Sequence, residues 1–150
     1  MTAIENKKAY HNYQILEKFE AGIELKGTEV KSIKNGRVSF GEGFVEIRNQ
    51  EAWLKGVNIP PFQIQNAPKN YDPLRQRKLL LHKKEINYLA SKSKIKGLTI
   101  IPLKIYLKRG KIKIEIALAK GKRKYQRKDE IKKREIEREI REALKKRLSS

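Results

Sequence analysis

The stretch LKIYLKRGKIKIEIAL, residues 103–118, decides the fold prediction. Apolar side chains alternate with mostly basic ones on both sides of Arg109-Gly110. A period of two is typical of a β-strand that buries one face, and the Arg-Gly pair suits a turn between two such strands. The stretch therefore predicts an antiparallel hairpin with one apolar face and one basic face.

The residues before this hairpin predict more short strands. A first strand is expected near Tyr13–Phe19, with Gly22 breaking it and residues 23–25 continuing the pairing. A second hairpin is expected from residues 44–47 and 52–57, with Trp53 and Leu54 contributing to the core.

Two helices are also predicted. The first would begin at Gly27-Thr28, with Thr28 as N-cap, and would end at Asn35-Gly36. The second would span Lys83–Lys92, where apolar residues recur at helical spacing. Residues 60–78 contain four prolines, which predicts a long irregular loop ending in basic residues.

These elements predict a mainly β fold. An OB-like antiparallel β-barrel of six to seven strands with two short helices is favoured, because closure removes exposed sheet edges. The expected organisation is a basic N-terminal arm over residues 1–11, the barrel over residues 12–119, and a basic C-terminal tail over residues 120–150. We expect the tail to be disordered when free and to fold on binding.

The charge of the chain indicates a polyanionic partner. The 150 residues include 37 Lys or Arg and 17 Asp or Glu, a formal net charge of +20. Nucleic acid is the first candidate, since each phosphate contact releases a condensed counterion, and an anionic membrane surface is the second. No apolar run approaches the length of a membrane span or signal peptide, so a cytoplasmic protein is expected.

The tail divides into two parts. Residues 120–128, KGKRKYQRK, contain six basic residues and no acid, so mutual repulsion favours an extended chain. Within them Tyr125 has no apolar neighbours, which suggests stacking on a base. Residues 129–148 pair acids with bases four residues later and carry a narrow apolar stripe, typical of a helix that needs a partner to be stable. That stripe lacks Trp and Phe, which argues against a membrane-surface helix.

Enzymatic motifs are absent from the sequence. It has no GxSxG, P-loop, GxGxxG or HExxH pattern and no cysteine, so disulfides and thiolate metal sites are excluded. No cofactor or metal is expected. Glu20, Glu24 and Glu29 are interpreted as surface carboxylates. The cluster Arg75, Arg77 and Lys78 is a predicted RNA contact, whereas Lys83 and Lys92 suit a solvated helix face.

Several segments resemble the SsrA-binding protein family, also called small protein B. They are NKKA at residues 6–9 with His11, EAGIEL at 20–25, GTEVKS at 27–32, RKLLLHK at 77–83, KGLT at 96–99 and LAKGK at 118–122. The resemblance covers residues 6–128. It implies a protein that binds transfer-messenger RNA and delivers it to stalled ribosomes together with elongation factor Tu and GTP. It also implies a tail that becomes helical in the decoding centre and the empty mRNA channel.

The resemblance assigns roles to three positions in particular. Glu20 would accept hydrogen bonds from a base edge, Leu80 would contact an unstacked base, and Lys113 would meet phosphate. The other predicted RNA-binding residues are Asn6, Lys7, Lys8, His11, Lys31, Lys34, Arg75, Arg77 and Lys78. The predicted ribosome-binding residues of the tail are Lys120, Gly121, Lys122, Arg123, Lys124, Tyr125, Arg127 and Lys128.

The tail departs from the family at one point. Gln126-Arg127-Lys128 stands where the family commonly has Asp-Lys-Arg, so the basic pair remains and the acid is lost. The alternative interpretation of the whole chain is a general OB-fold RNA-binding or ribosomal protein, which would bind many RNAs with similar, salt-dependent affinity.

Overall fold

The computed structural model describes residues 2–63, 69–122 and 138–145. Its elements, in chain order, are β1 (Ile4–Glu5), α1 (Lys7–Asn12), β2 (Tyr13–Ile23), α2 (Gly27–Lys34), β3 (Phe44–Arg48), β4 (Glu51–Lys55), β5 (Arg77–Leu80), α3 (Lys83–Lys92), β6 (Leu98–Lys108) and β7 (Lys111–Gly121). Residues 138–145 are also helical.

The strands form one antiparallel sheet that closes into a ring. Going round, β6 pairs with β3, β3 with β4, β4 with β5, β5 with β2, β2 with β7, and β7 returns to β6. The two-residue strand β1 adds to β6 at the register Ile4↔Ile105. The prediction of a mainly β antiparallel fold with six to seven strands and short helices is confirmed.

The β6–β7 hairpin is the one predicted from the alternation. Leu107 pairs with Ile112, and the turn residues Arg109 and Gly110 both have positive φ, 51° and 78°. Positive φ at both central residues is the turn geometry that matches the twist of the strands it joins. The predicted hairpin near residue 50 is also present as β3–β4, with Asn49 and Gln50 in the same backbone region.

The core fills the interior of the ring. Among the fully buried residues are Ile105, Ile114 and Ile116 of the hairpin. Leu54 of β4 and Leu89 of α3 are also fully buried. Each fully buried aliphatic side chain of this size stabilises the fold by about 1.5–3 kcal/mol. A smaller apolar cluster between α1 and the start of the hairpin contains Ala9, Ile101, Leu103, Ala117 and Ala119.

The N-terminus differs from the predicted arm. Residues 4–12 form β1 and α1, Ala9 is buried, and the Asn6 side chain donates a 2.8 Å hydrogen bond to the Pro102 carbonyl. Very short strands and helices leave little periodicity in a sequence, so the pattern of this stretch predicts only a polar, irregular arm.

Four local expectations were wrong, each because tertiary contacts overrode a local signal. Gly22 lies within β2 and does not break it. The first predicted helix begins after Lys26, so Thr28 is not its N-cap. The Lys26 backbone N–H donates to Glu29, and the Thr28 hydroxyl accepts from the Phe62 N–H.

Trp53 is only half-buried and lies beside Arg48, whereas Leu54 joins the core. Three helices, not two, precede residue 122.

The end of β7 also moves the predicted tail boundary. Lys120 and Gly121 pair with Gln14 and Tyr13 in the sheet, and the Lys122 N–H donates to the Asn12 carbonyl. The sheet therefore includes the first residues that the sequence assigned to the tail.

Glu29 is buried, contrary to its interpretation as a surface carboxylate. Its side chain and that of Arg77 are both 0% exposed, with 2.6 Å between Oε2 and the Arg77 Nε. Arg75 donates to the other oxygen at 2.6 Å, and the Tyr71 hydroxyl lies 3.2 Å from Oε2. Arg77 also donates to the carbonyls of Val57 and Pro73.

This ion pair connects α2, β5 and the segment that precedes β5. Glu29 belongs to α2, Arg77 begins β5, and Tyr71 and Arg75 belong to the segment between β4 and β5. Burial raises the pKa of the Glu29 carboxyl, but hydrogen bonds from Arg75, the Lys26 backbone and Arg77 outweigh burial and lower it. Two buried ions are tolerated only when both are paired and hydrogen-bonded, as they are here.

Replacing Glu29 by Gln should destabilise the protein by about 3–5 kcal/mol, because Arg77 would stay buried with no opposing charge. Urea unfolding at neutral pH measures the loss. The difference from wild type should shrink in acid, since a carboxylate with a lowered pKa stabilises above its unfolded pKa and loses that contribution as the pH falls through its folded pKa.

The control for this substitution is Glu46→Gln. Glu46 forms a 2.7 Å ion pair with Lys55 on the outside of the ring, where both side chains are partly exposed. Its loss should destabilise the protein far less than the loss of Glu29, because an exposed ion pair contributes little to stability. Equal effects of the two substitutions would contradict the importance of the buried pair.

Candidate nucleic-acid interface

The outer surface of β2, β7 and β6 carries most of the charged residues of these three strands. Inward residues such as Ala21, Ile114 and Ile105 alternate with outward ones, as the pleat requires. We call this surface the β2–β7–β6 face. Its outward residues are Lys18, Glu20 and Gly22 on β2, Lys113 and Glu115 on β7, and Lys104, Tyr106 and Lys108 on β6.

The two carboxylates of the face are held by lysines. Glu115 lies 3.9 Å from Lys18 and 4.0 Å from Lys104, and Glu20 lies 3.2 Å from Lys108. Lys113 forms no salt bridge with any residue in the described part of the chain. It is therefore the lysine of the face that is available for a phosphate.

Glu20 has two hydrogen-bond donors from β6. The Tyr106 hydroxyl donates to Oε2, and the Lys108 Nζ lies 3.2 Å from each carboxylate oxygen. The hydrogen bonds from Tyr106 and Lys108 lower the pKa of the Glu20 carboxyl. The group is charged at neutral pH, and its side chain remains 40% exposed, so it can still accept hydrogen bonds from outside the protein.

A groove opens at one end of this face. It lies where β2 meets β5 and α2, and Leu80 stands on its wall with half of its surface exposed. Gly22 lies against Leu80, since a Cβ at Gly22 would come within 3.2 Å of the Leu80 Cβ. The lining residues are Gly22, Ile23, Leu25, Val30, Lys34, Leu80, Gly110, Lys111, Ile112 and Lys113.

The groove joins an apolar wall to three lysines. Leu80 and Val30 supply apolar surface, and Lys34, Lys111 and Lys113 supply positive charge. RNA recognition commonly uses this combination, with apolar contact to an unstacked base and cations near its phosphates. Of the predicted RNA-binding residues, the structure brings together Lys34, Leu80 and Lys113, with Glu20 two residues from Gly22 on the same strand.

The structure does not bring the basic residues at 75–78 onto one exposed surface. Arg77 is fully buried against Glu29, so its predicted RNA contact is wrong: reaching RNA would require breaking that ion pair. Arg75 uses its guanidinium on the same carboxylate and is 24% exposed. Lys78 points outward on β5 but pairs with Glu51 at 3.2 Å.

The other predicted residues lie away from the groove. Asn6 is almost buried and holds α1 against β6, which favours a structural role. Lys7, Lys8 and His11 are exposed on α1, near the opposite end of β2. Lys31 is exposed on α2 beside Thr28 and Phe62, outside the groove lining.

Three residues of the interface were not singled out from the sequence. Gly22 was interpreted as a strand break, and Tyr106 and Lys108 only as outward positions of the hairpin. Alternation placed the last two on the basic face. Their partner Glu20 lies more than eighty residues earlier, and only the closure of the ring brings it within reach.

The tail is described only in part. Lys120 and Gly121 lie in β7 and Lys122 follows it. The predicted ribosome-binding residues Arg123, Lys124, Tyr125, Arg127 and Lys128 lie outside the described residues. In the helical stretch 138–145, Ile140 and Leu144 are exposed, and Arg138 approaches Glu142 at 3.4 Å across one turn.

The residues that the structure describes contain neither a metal-binding cluster nor a membrane-spanning helix. No group of three or more histidines and carboxylates there could hold a metal ion. No described helix is long and apolar enough to cross a membrane.

Comparison with protein families and known proteins gives a consistent result. The family described as SmpB protein matches residues 3–146 of the chain. An SsrA-binding protein of Persephonella marina is 56% identical over 90% of this chain and 88% of its own length. An SsrA-binding protein of Thermosipho africanus is 55% identical, covering 93% of this chain and 94% of its own.

A solved structure supports the same relationship. It is described as "tmRNA-SmpB: a journey to the center of the bacterial ribosome", and one of its chains is 47% identical to this protein. The two chains superpose with a TM-score of 0.69, over 81% of this chain and 85% of the other.

Proposed function

The chain belongs to the SmpB protein family, and on this basis we propose that it binds the SsrA RNA, which is transfer-messenger RNA, and delivers it to stalled ribosomes. It acts as an RNA-binding protein and catalyses no reaction. The observation that carries the proposal is the convergence of Glu20, Leu80 and Lys113 on one side of the ring.

The groove supplies the RNA contact. Leu80 packs against an unstacked base, Lys113 and Lys34 neutralise the neighbouring phosphates, and Glu20 accepts N–H groups of a base edge. Single-stranded or splayed bases are the usual targets of sequence-specific RNA recognition, since the edges of paired bases in an RNA helix are poorly accessible. The tRNA-like domain of transfer-messenger RNA would present such bases to the β2–β7–β6 face.

The tail supplies the ribosome contact. From residue 123 onward its basic residues suit a channel walled by ribosomal RNA, and its acid–base pairs and apolar stripe suit a helix that forms there. The exposed Ile140 and Leu144 in the helical stretch 138–145 support this role. Because the channel is free only when mRNA is absent, tail folding would report that the ribosome has stalled.

Further partners follow from this delivery role. Elongation factor Tu with GTP would accompany the complex by binding the charged end of the RNA, without direct contact with this chain. Since translation takes place in the cytoplasm, we place the protein there.

The rival candidate is a general RNA-binding or ribosomal protein that relies on charge alone. Labelled tRNA-like domain, titrated at ~0.2 M salt in the presence of excess ordinary tRNA, separates the two, because non-specific phosphate binding weakens steeply with salt. Retained tight binding supports delivery of transfer-messenger RNA. Equal competition by ordinary tRNA would favour the rival.

Gly22→Val should displace Leu80 from the groove, since even a Cβ at this position lies 3.2 Å from the Leu80 Cβ. We expect roughly tenfold weaker binding of the tRNA-like domain, equivalent to ~1.4 kcal/mol. Fluorescence anisotropy measures the affinity.

Gly27→Val is the matched control for this change. A Cβ at Gly27 has no atom within 4 Å, and this residue lies at the start of α2, outside the groove lining. Its affinity should remain near that of the wild-type protein. A similar loss in both variants would argue against the groove as the base-binding site.

Deletion of residues 123–150 should leave binding of the tRNA-like domain nearly intact and abolish rescue of ribosomes stalled on mRNA without a stop codon. The cut keeps Lys120, Gly121 and Lys122, because they bond to the sheet and to Asn12. Anisotropy measures the first quantity and a reconstituted translation reaction the second. Parallel loss of both would refute the division of labour between ring and tail.

A further inference from the structure

A carboxylate at the centre of a basic surface works against the binding of RNA backbone. Glu20 repels phosphate, and its like-charged neighbour across the strand pair is Glu115. Tyr106 and Lys108 offset the repulsion between the two carboxylates within the protein, but a glutamate at this position still lowers general affinity for RNA backbone. The arrangement around Glu20 is therefore informative about what the face selects.

Tyr106 and Lys108 reach Glu20 across an intervening strand. Both residues belong to β6, Glu20 belongs to β2, and β7 runs between them with Lys113 opposite Tyr106 and Glu115 opposite Glu20. The Tyr106 hydroxyl donates to Oε2, and Lys108 approaches both oxygens at 3.2 Å. The carboxylate thus has a fixed position above β7.

The protonation states of Tyr106 and Glu20 suit the hydrogen bond between them. Burial and the hydrogen bond to Glu20 raise the pKa of Tyr106, so its hydroxyl remains a donor. The hydrogen bond from Tyr106 is the largest cause of the lowered pKa of Glu20. An ionised carboxylate has about four acceptor sites, so these donors leave it able to accept from RNA.

We propose that Tyr106, assisted by Lys108, is a positioning residue that fixes the Glu20 carboxylate for base N–H donors, and that this pair determines RNA specificity. A fixed carboxylate accepts two N–H groups of a base edge without a further loss of side-chain freedom, whereas it repels a phosphate at the same place. The inference rests on the proposed binding of transfer-messenger RNA and adds the residues that set its selectivity.

The test compares Tyr106→Phe with Tyr88→Phe in the intact chain. Tyr88 on α3 also donates its hydroxyl to a glutamate, Glu17, so each variant removes the same atom from a Tyr–Glu pair. The measured quantity is the ratio of affinities for the labelled tRNA-like domain and for ordinary tRNA. We expect Tyr106→Phe to lower this ratio roughly five- to tenfold with ordinary tRNA affinity unchanged, and Tyr88→Phe to leave the ratio unaltered.

A spectroscopic measurement separates positioning from general damage. In a carbon-detected NMR titration the Glu20 carboxyl should titrate at higher pH in Tyr106→Phe than in wild type, because its principal stabilising hydrogen bond is gone. In a Glu20→Ala background, which removes the acceptor, Tyr106→Phe should have no additional effect on the affinity ratio, since the two residues act through one contact.

The outcomes are distinct. If the wild-type protein prefers the tRNA-like domain and Tyr106→Phe keeps that preference, the positioning role is overturned while the proposed function stands. If the wild-type protein shows no preference, the proposed function itself fails. An unchanged Glu20 titration in Tyr106→Phe would also overturn the inference, whatever the affinities.

Discussion

The buried ion pair between Glu29 and Arg77 is the constraint on which the geometry of the interface depends. Glu29 fixes the start of α2, and Arg77 fixes the start of β5, so their 2.6 Å contact sets the distance between the two elements. The groove lies between those same elements, with Val30 and Lys34 on α2 and Leu80 on β5. If either charged side chain left the interior, the other would remain buried without an opposing charge.

The ring of strands groups the charged side chains of the interface on one outer face. Closure buries one side of every strand and leaves β2, β7 and β6 with adjacent outer surfaces, so lysines from distant parts of the sequence form one face. Glu20 and Glu115 reduce the positive charge of this face and are themselves bound by lysines. In the proposed function, this mixture of charges lets the face bind a polyanion and distinguish its backbone from base edges, which a uniformly basic surface would not do.

In the proposed function, recognition of the RNA and sensing of the ribosome belong to different parts of the chain. The rigid ring carries the groove, whose residues come from α2, β2, β5 and the β6–β7 hairpin. The described part of the sheet includes Gly121, and the Lys122 N–H donates to the Asn12 carbonyl just after it. A segment that folds only on binding loses conformational entropy at that moment, so its affinity depends strongly on whether its site is free. In the proposed function, the empty mRNA channel would be that site.

Much of this could be predicted from local sequence. The alternation over residues 103–118 determined the β6–β7 hairpin and which of its side chains face outward, because a period of two is a local property of extended backbone. The charge excess indicates a polyanionic partner, with nucleic acid as the first candidate, and the resemblance of short segments points to Glu20, Leu80 and Lys113. Arg77 was misassigned for a specific reason: a basic residue in a basic cluster looks exposed until its buried partner is known.

Local sequence therefore specifies the strand pattern, the basic outer face, the charge of the tail and the class of partner. The burial of Glu29 with Arg77, the pairing of the N-terminal residues with β6 and the contact between Tyr106 and Glu20 become visible only in the folded chain. These contacts join residues 48 to about one hundred positions apart. Closure of the ring brings together residues that are this far apart in the sequence. A local period of two does not specify which strands become neighbours.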